Sequence, residues 1–328
     1  MINPVKAPNK KLLVIGELNM DLILDRLNSM PELGKEKIAN ELSLTLGSSS
    51  AIFASNISRL GTHTKFCGMV GSDYFGSYII NKLQDFKINT TSVIRSSNYK
   101  TGLTVFFRYN NDRSAVTYPG AMKYFSFTDI PDKIFKNIDH VHISSIFLQP
   151  AIKKDLYKII RVAKSNSATI SVDPQWDPDE EWDLDLKELV PKIDFFLPNK
   201  VEFLNLTQSS SIKSGLQKFR NIIQDSVIVV KNGEKGATYL TRETLATVST
   251  YINDNVVDTV GAGDSFNAGL IFRFLKGDSI KKSIKFANIS GAVSTTKAGG
   301  TSAIQSLDEL IKIAKDNLSI SDINEFTR

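Results

Sequence analysis

Short apolar runs stopped by glycine, alternating with longer amphipathic stretches, set the plan of this chain. Lys11 to Ile15 is an apolar run halted at Gly16 and reads as a buried strand. Asp21 to Leu27 and Lys37 to Leu46 read as two more strands, with Pro31 and Gly34 between them. Ala51 to Leu60 has helical spacing and ends at Gly61, a C-terminal stop. Thr64 to Val70 is a further strand and Phe75 to Phe86 a helix. Leu103 to Tyr109 and Ser114 to Tyr118 predict a hairpin across Asn110-Asn-Asp-Arg113.

From there strand and helix alternate. Strands are expected at His140–Ser144, Thr169–Val172, Phe195–Leu197 and Val227–Val230. Helices are expected at Lys153–Ser165, from near Lys200, and at Ser214–Ile223, Ser265–Leu275 and Ile280–Thr296. Such alternation implies an α/β fold, a parallel sheet with helices on both faces and ligands beyond the carboxyl ends of its strands. The early strand pairs break the alternation and predict a small separate sheet, a lid over the site. No internal repeat, low-complexity tract or long linker interrupts the pattern.

Composition narrows this little. At 328 residues, 41% hydrophobic and 23% charged, the chain is an ordinary globular one with room for a large core. The net charge of +5 is spread out; Lys10-Lys11 and Lys281-Lys282 are its tightest groups, so no concentrated basic face for nucleic acid is expected. A mildly positive cleft for an anionic substrate is the better use of that charge. The lone cysteine, Cys67, sits in an apolar stretch and reads as core, with no internal disulfide possible. His140-Val-His142 places two rings on one face of a strand without a third ligand, which favours a structural role over zinc. The N-terminus has Lys6, Lys10 and Lys11 but no apolar run long enough for a signal or a membrane span, so a cytoplasmic protein with no membrane partner is expected.

The chemistry concentrates in Asp258-Thr-Val-Gly-Ala-Gly-Asp-Ser-Phe266. Gly261, Ala262 and Gly263 stand directly before Asp264 and an amphipathic run. That is a tight turn feeding a helix N-terminus, whose unhindered N–H groups and dipole suit an anion. A carboxylate there can accept a proton from a hydroxyl attacking a phosphate. Neither a Walker A pattern nor a Gly-x-Gly-x-x-Gly after the first strand is present, so this turn must do the anion binding. Asn19 and Asp21, two apart after a buried strand, share a face and suit neighbouring hydroxyls, or else form a polar turn at the strand end. Asn199 and Glu202 have the spacing of a helix capping box.

The run Asp258–Phe266, with Asn267-Ala-Gly269 after it, closely resembles the second signature of the ribokinase-like (PfkB) carbohydrate kinases. Other motifs match in order: Gly16-Glu-Leu-Asn-Met-Asp21; Gly47-Ser-Ser-Ser-Ala51 running to Arg59-Leu-Gly61, then Gly68, Gly71, Asp73 and Gly76; Pro198-Asn-Lys-Val-Glu202; and Lys231-Asn-Gly-Glu-Lys-Gly236. The resemblance spans about residues 11–305. It implies a ribokinase-like three-layer α/β/α sandwich over residues 1–328 as a single domain, its lid contributed by about 19–46 and 99–120. It makes Asp264 the base and the Gly261–Gly263 amides the anion hole for the transferring phosphoryl group. Asn19, Asp21, Gly47 and Ser48 would bind the sugar, with Arg108 or Arg113 of the hairpin contacting sugar or phosphate. ATP would lie against Lys231, Gly233, Gly236 and the segment from Asn288 to Gly300, and Asp173 of Asp173-Pro-Gln-Trp176 would face its phosphates. Asn199 and Glu202 would hold magnesium through water. Asp258, the Val260 carbonyl and the loop Ala298–Ser302 resemble the monovalent-cation site of many members, which makes potassium activation a hypothesis. A homodimer through the lid sheet is also implied.

Three positions depart from the pattern. Ser48 replaces a second glycine, Ile52 an asparagine that ribokinases keep, and Gln175 the asparagine after Asp173-Pro. The expected function is an ATP-dependent sugar kinase acting on a primary hydroxyl, with fructose to fructose 6-phosphate first. 2-Keto-3-deoxygluconate comes next, then ribose or a nucleoside; phosphofructokinase action lacks a basic cluster for a second phosphate. A non-catalytic sugar sensor and a nucleic-acid binder are the readings from other classes.

Overall fold

A computed structural model describes residues 10–109, 112–318, 320 and 323–326 of the chain. Residues 1–9, which include most of the N-terminal stretch discussed above, and Asn110–Asn111 of the expected hairpin turn lie outside the described residues. The chain runs β1 (Lys11–Ile15), β2 (Asn19–Asp25), β3 (Glu41–Leu46), α1 (Ser49–Arg59), β4 (His63–Gly71), α2 (Tyr74–Asp85), β5 (Asn89–Ser96), β6 (Gly102–Tyr109), β7 (Asp112–Tyr118) and β8 (His140–Ser144). It continues through α3 (Pro150–Ser165), β9 (Thr169–Asp173), α4 (Leu186–Leu189), β10 (Phe195–Phe196), α5 (Lys200–Thr207), α6 (Ile212–Gln217) and β11 (Val227–Lys231). The hairpin β12 (Ala237–Leu240) and β13 (Leu245–Val248) precedes α7 (Ala262–Leu275), α8 (Ile280–Ser294) and α9 (Leu307–Asn317).

Among the described residues, nine strands form one sheet in the order β13-β12-β11-β10-β9-β8-β1-β4-β5. From β11 to β5 every pairing is parallel, and β12 and β13 close one edge antiparallel. Alternate side chains of β1 enter two different cores. Leu12 and Val14 pack with apolar residues of α1, α7 and α8, whereas Leu13 and Ile15 pack with those of α3. The sheet is therefore sandwiched between two helical layers, as expected, because a parallel sheet must bury both faces. In the middle of the sheet, β1 has β8 on one side and β4 on the other. Strand order reverses there, and a crevice opens at the carboxyl ends.

A second sheet, β3-β2-β6-β7, stands apart from the first. β2 and β6 are parallel, and each has an antiparallel outer partner. This is the lid that the early strand pairs predict. Its β3 begins only at Glu41, whereas a strand from Lys37 was expected; residues 31–36 and several beyond are exposed, and nothing apolar holds them to the sheet. Three strands and two helices, α4 and α9, carried no sequence expectation. β5 has only Val93 and Ile94 as apolar residues, and β13 alternates between exposed and half-buried positions, so neither shows a core strand's run. α9 is amphipathic, with Leu310, Ile311, Ile313 and Ala314 buried, and lies beyond the last helix read from the pattern.

Candidate active site

The ends of five parallel strands converge on one cleft of about 1070 Å³. Glu17 follows β1, Ser145 follows β8, Gln175 follows β9, Asn199 follows β10, and Lys231 ends β11; all five line it. Asn19, Asp21, Thr104, Phe106, Ala115 and Thr117 of the lid form the opposite wall.

Gly261, Ala262, Gly263 and Asp264 enter this cleft together at the first turn of α7. Gly261 takes a left-handed conformation (φ 73°), and a Cβ there would fall 2.6 Å from Gly300 Cα, so both the dihedral and the close approach require glycine. α7 is buried from Asp264 to Leu275, which fixes the turn on a rigid element. Asp264 itself is 6% exposed and accepts a hydrogen bond from Gln175 Nε2 at 3.0 Å. Burial first, then the Asp173 carboxylate, push its pKa well above the usual carboxylate range; Lys231 opposes the shift, while Glu17 and Glu202 add to it.

Beneath Asp264 lies a charge cluster. Lys231 Nζ donates to Asp173 Oδ2 at 2.6 Å and lies 3.4 Å from Asn267 Oδ1. Asn267 Nδ2 and Gln175 Nε2 also donate to that Asp173 oxygen. Burial lowers the Lys231 pKa, but Asp173, Glu202 and Asp264 more than offset this, so the ammonium is held charged. Asp173 is fully buried and absent from the cleft wall, so it supports Lys231 and Gln175 instead of facing phosphates as expected. Gln175, read only as a departure, becomes the residue that holds the Asp264 carboxylate.

Asn199 and Glu202 form a reciprocal capping box on α5: Glu202 N donates to Asn199 Oδ1 at 3.0 Å and Asn199 N to Glu202 Oε2 at 2.8 Å. Both also line the cleft. Burial and Asp173 push the Glu202 pKa up to about 7 against the pull of Lys231. Three carboxylates thus surround one lysine, and a divalent cation beside Glu202 would relieve that imbalance.

At the acceptor end Asn19 Nδ2 donates to Asp21 Oδ1 at 3.1 Å and to Thr104 Oγ1 at 2.9 Å. The pair shares a face, as its spacing predicts. Gly47 packs behind it, since a Cβ there would fall 2.2 Å from Asp21 Oδ1. Ser48 has φ 74°, a conformation natural to the glycine it replaces. Its hydroxyl compensates by donating to the Glu17 carbonyl at 2.5 Å and accepting from Ala51 N at 3.0 Å, which caps α1. Ile52 lines the cleft and presses on Gly261 and Gly300. Glu17, unnoticed in the sequence beyond its motif, is a buried carboxylate bonded to Ser50 and, at 2.9 Å, to Ser145 Oγ. Only its apposition to the serines across the crevice reveals it.

Gly233, Gly236 and Asn288 line the far end of the cleft. Asn288 Nδ2 donates to the carbonyls of Val248 and Ser249 at 3.1 Å each and so ties α8 to the 249–256 segment. Thr250, Tyr251, Ile252 and Asn253 of that segment complete the wall, a contribution without any sequence signal.

Arg108 does not reach the cleft lining. Its Nη2 lies 3.2 and 3.3 Å from the two carboxylate oxygens of Asp258, and the expectation of a sugar or phosphate contact gives way to this ion pair. The Arg113 side chain lies outside the described residues. Asp258 also accepts from Val260 N and Gly299 N at 3.0 Å each. Burial raises its pKa, yet these two N–H bonds and then Arg108 bring it below the usual range. The remaining sequence candidates are structural. His140 and His142 are buried and bonded to Ser171 Oγ at 2.7 Å, and burial pushes His140 down to about 3, so both stay neutral. Buried Cys67 is pushed up to about 12. No helix among the described residues is long and apolar enough to cross a membrane.

The chain is similar to known carbohydrate kinases. Residues 9–307 match the model of the pfkB family carbohydrate kinases. The ribokinase of Lactococcus lactis is 28% identical over 92% of this chain and 95% of its own length. The 2-dehydro-3-deoxygluconokinase of Bacillus subtilis is 26% identical over 78% and 82%. The fructokinase of Vibrio cholerae O395, solved with fructose, ADP and calcium, superposes with a TM-score of 0.77 at 25% identity over 93% of this chain and 98% of its own.

Proposed function

The chain belongs to the pfkB family of carbohydrate kinases, and from that premise we propose that it transfers the terminal phosphate of ATP to a primary hydroxyl of a small neutral sugar, fructose first. The observation that carries this is Asp264: a buried carboxylate of raised pKa, on a glycine turn at a helix N-terminus, in one cleft with the Asn19–Asp21 pair. Asn19 and Asp21 orient the sugar hydroxyls. Asp264 takes the proton of the attacking hydroxyl. As that oxygen bonds to the terminal phosphorus, the bond from phosphorus to the ADP oxygen breaks. The Gly261–Gly263 amides and Lys231 stabilise charge on the phosphoryl oxygens. Asn199 and Glu202 would hold magnesium, which when bound offsets the negative charge of the phosphates. Gly233, Gly236 and Asn288 bound the nucleotide end. Potassium has no step in this scheme, because the Asp258 carboxylate already has a guanidinium partner.

A neutral sugar fits better than a sugar acid. Glu17 and Asp21 put carboxylates at the acceptor end, and among the described lining residues the cation is Lys231, at the other end. Ile52 argues against ribose, since it offers no hydrogen bond where ribokinases keep an asparagine. The catalytic unit is read as one domain with the lid on about residues 19–46 and 99–120, acting in the cytoplasm. A homodimer through the lid sheet is supported by exposed Leu42, Val116 and Tyr118 on its outer strands. The test is coupled ADP release with magnesium-ATP against fructose, 2-keto-3-deoxygluconate, ribose, glucose and adenosine. Turnover on fructose above the others supports the reading. Binding of a sugar without ADP release would make the chain a sensor.

A further inference from the structure

We propose that the Arg108 guanidinium is a built-in replacement for a monovalent cation at Asp258, and that it fastens the lid to the phosphate-binding turn. Asp258 bridges two backbone segments: Oδ1 accepts from Val260 N and Oδ2 from Gly299 N. Those segments are the approach to Gly261 and the loop carrying Gly300, whose backbones touch. The placement of the Gly261–Gly263 amides therefore depends on this carboxylate staying ionised and in place. Its side chain is only 8% exposed, and a charge so enclosed needs a counter-charge. A bound monovalent ion would bring one positive charge. Arg108 brings the same charge on a side chain, with Nη2 facing both carboxylate oxygens.

Neighbouring atoms agree with this assignment. The Gly300 carbonyl, which the 298–302 loop would offer to an ion, accepts from Asn56 Nδ2 at 3.0 Å, and the Thr301 carbonyl accepts from Arg59 Nη1. Two carbonyls of the loop implied for potassium are thus committed to protein donors. Arg108 is also held from the lid side, with Nη1 3.7 Å from Asp25 of β2 and its carbonyl accepting from Leu27 N at 3.3 Å. Because the guanidinium rides on β6, the charge that steadies the phosphate-binding turn arrives with the lid.

The test uses wild type, Arg108→Met, which keeps much of the apolar stem, and Arg108→Lys. Each is assayed for sugar-dependent ADP release, and separately melted without substrates, in potassium chloride and in tetramethylammonium chloride at equal ionic strength. Wild type should turn over alike in both salts, within about twofold, and melt alike. Arg108→Met should lose on the order of tenfold in tetramethylammonium and recover most of it in potassium, and potassium should raise its melting temperature. Arg108→Lys should lose less and stay indifferent to potassium. A wild type that needs potassium would overturn the proposal, as would an Arg108→Met protein whose activity and melting both ignore it. The activity arm rests on the kinase reading, but the melting arm does not. If no sugar turns over, a potassium shift confined to Arg108→Met still supports the replacement, and its absence still refutes it.

Discussion

The two ends of the cleft are built differently. The phosphate end is made of one turn and one helix: Gly261 to Asp264 are consecutive, and α7 is buried along almost its whole length. The acceptor end is assembled from distant pieces: Asn19 and Asp21 on β2, Ser48 at the start of α1, Thr104 on β6 and Glu17 after β1. All three departures from the family pattern lie outside the run 258–266 itself; Ser48 and Ile52 line the cleft, Ile52 packs against Gly261, and Gln175 bonds the Asp264 carboxylate. A turn that must present amides and a base to one phosphate tolerates little change. A wall that must fit a sugar can be rebuilt position by position. Reaction type therefore follows from one end of the cleft and substrate from the other.

The largest effect should come from breaking the phosphate end alone. Asp264→Asn keeps the shape and removes the proton acceptor, so kcat should fall by roughly 10²–10⁴ or more with little change in sugar affinity. Stability should move the other way. The folded-state pKa of Asp264 is raised, so this group's contribution to stability is present at low pH and is lost as pH rises through the folded value. At neutral pH the amide should melt no lower than wild type, and a clear drop would mean that the carboxylate is structural.

The same shift sets the pH dependence. The base works ionised, and its pKa is raised, so the acid limb of kcat/KM should lie above the ordinary carboxylate range and vanish in Asp264→Asn. An acid limb at the usual carboxylate value would point to a different group. The acceptor end should respond more weakly. Asp21→Asn removes a charged acceptor for hydroxyls, worth roughly 10–150-fold in kcat/KM for the sugar, with the KM for ATP unchanged. Equal losses toward both substrates would mean that the two ends do not act separately.

Legibility in the sequence divides along the same line. The glycine turn, the position of Asp264 behind it and the Asn199–Glu202 capping box were readable because each is a short local motif whose geometry is set within a few residues. The main sheet was readable from β1 to β11 because buried parallel strands carry dense apolar runs. Edge strands β5 and β13 were not, since half-exposed strands dilute that signal. Glu17, Gln175, the Arg108–Asp258 pair and the 249–256 wall were hidden for a different reason. Each gains its role from a partner far along the chain, 150 residues away for Arg108 and Asp258 and 89 for Gln175 and Asp264. Spacing cannot show such pairings.

The smallest test asks whether the lid binds the sugar or only holds what does. Thr104 lies on β6, and its hydroxyl accepts from Asn19 Nδ2 at 2.9 Å and lies 3.0 Å from Thr117 Oγ1 of β7. Thr104→Val keeps the shape and removes one neutral hydrogen bond, worth about 1 kcal/mol, or roughly fivefold. If Thr104 acts by aiming the Asn19 amide, the loss should appear in sugar KM with kcat nearly intact. It should also disappear once Asn19 is already Ala, because a group that acts only through Asn19 has nothing left to aim. Additive losses in the double variant would instead place the Thr104 hydroxyl on the sugar itself and extend the acceptor site across the lid.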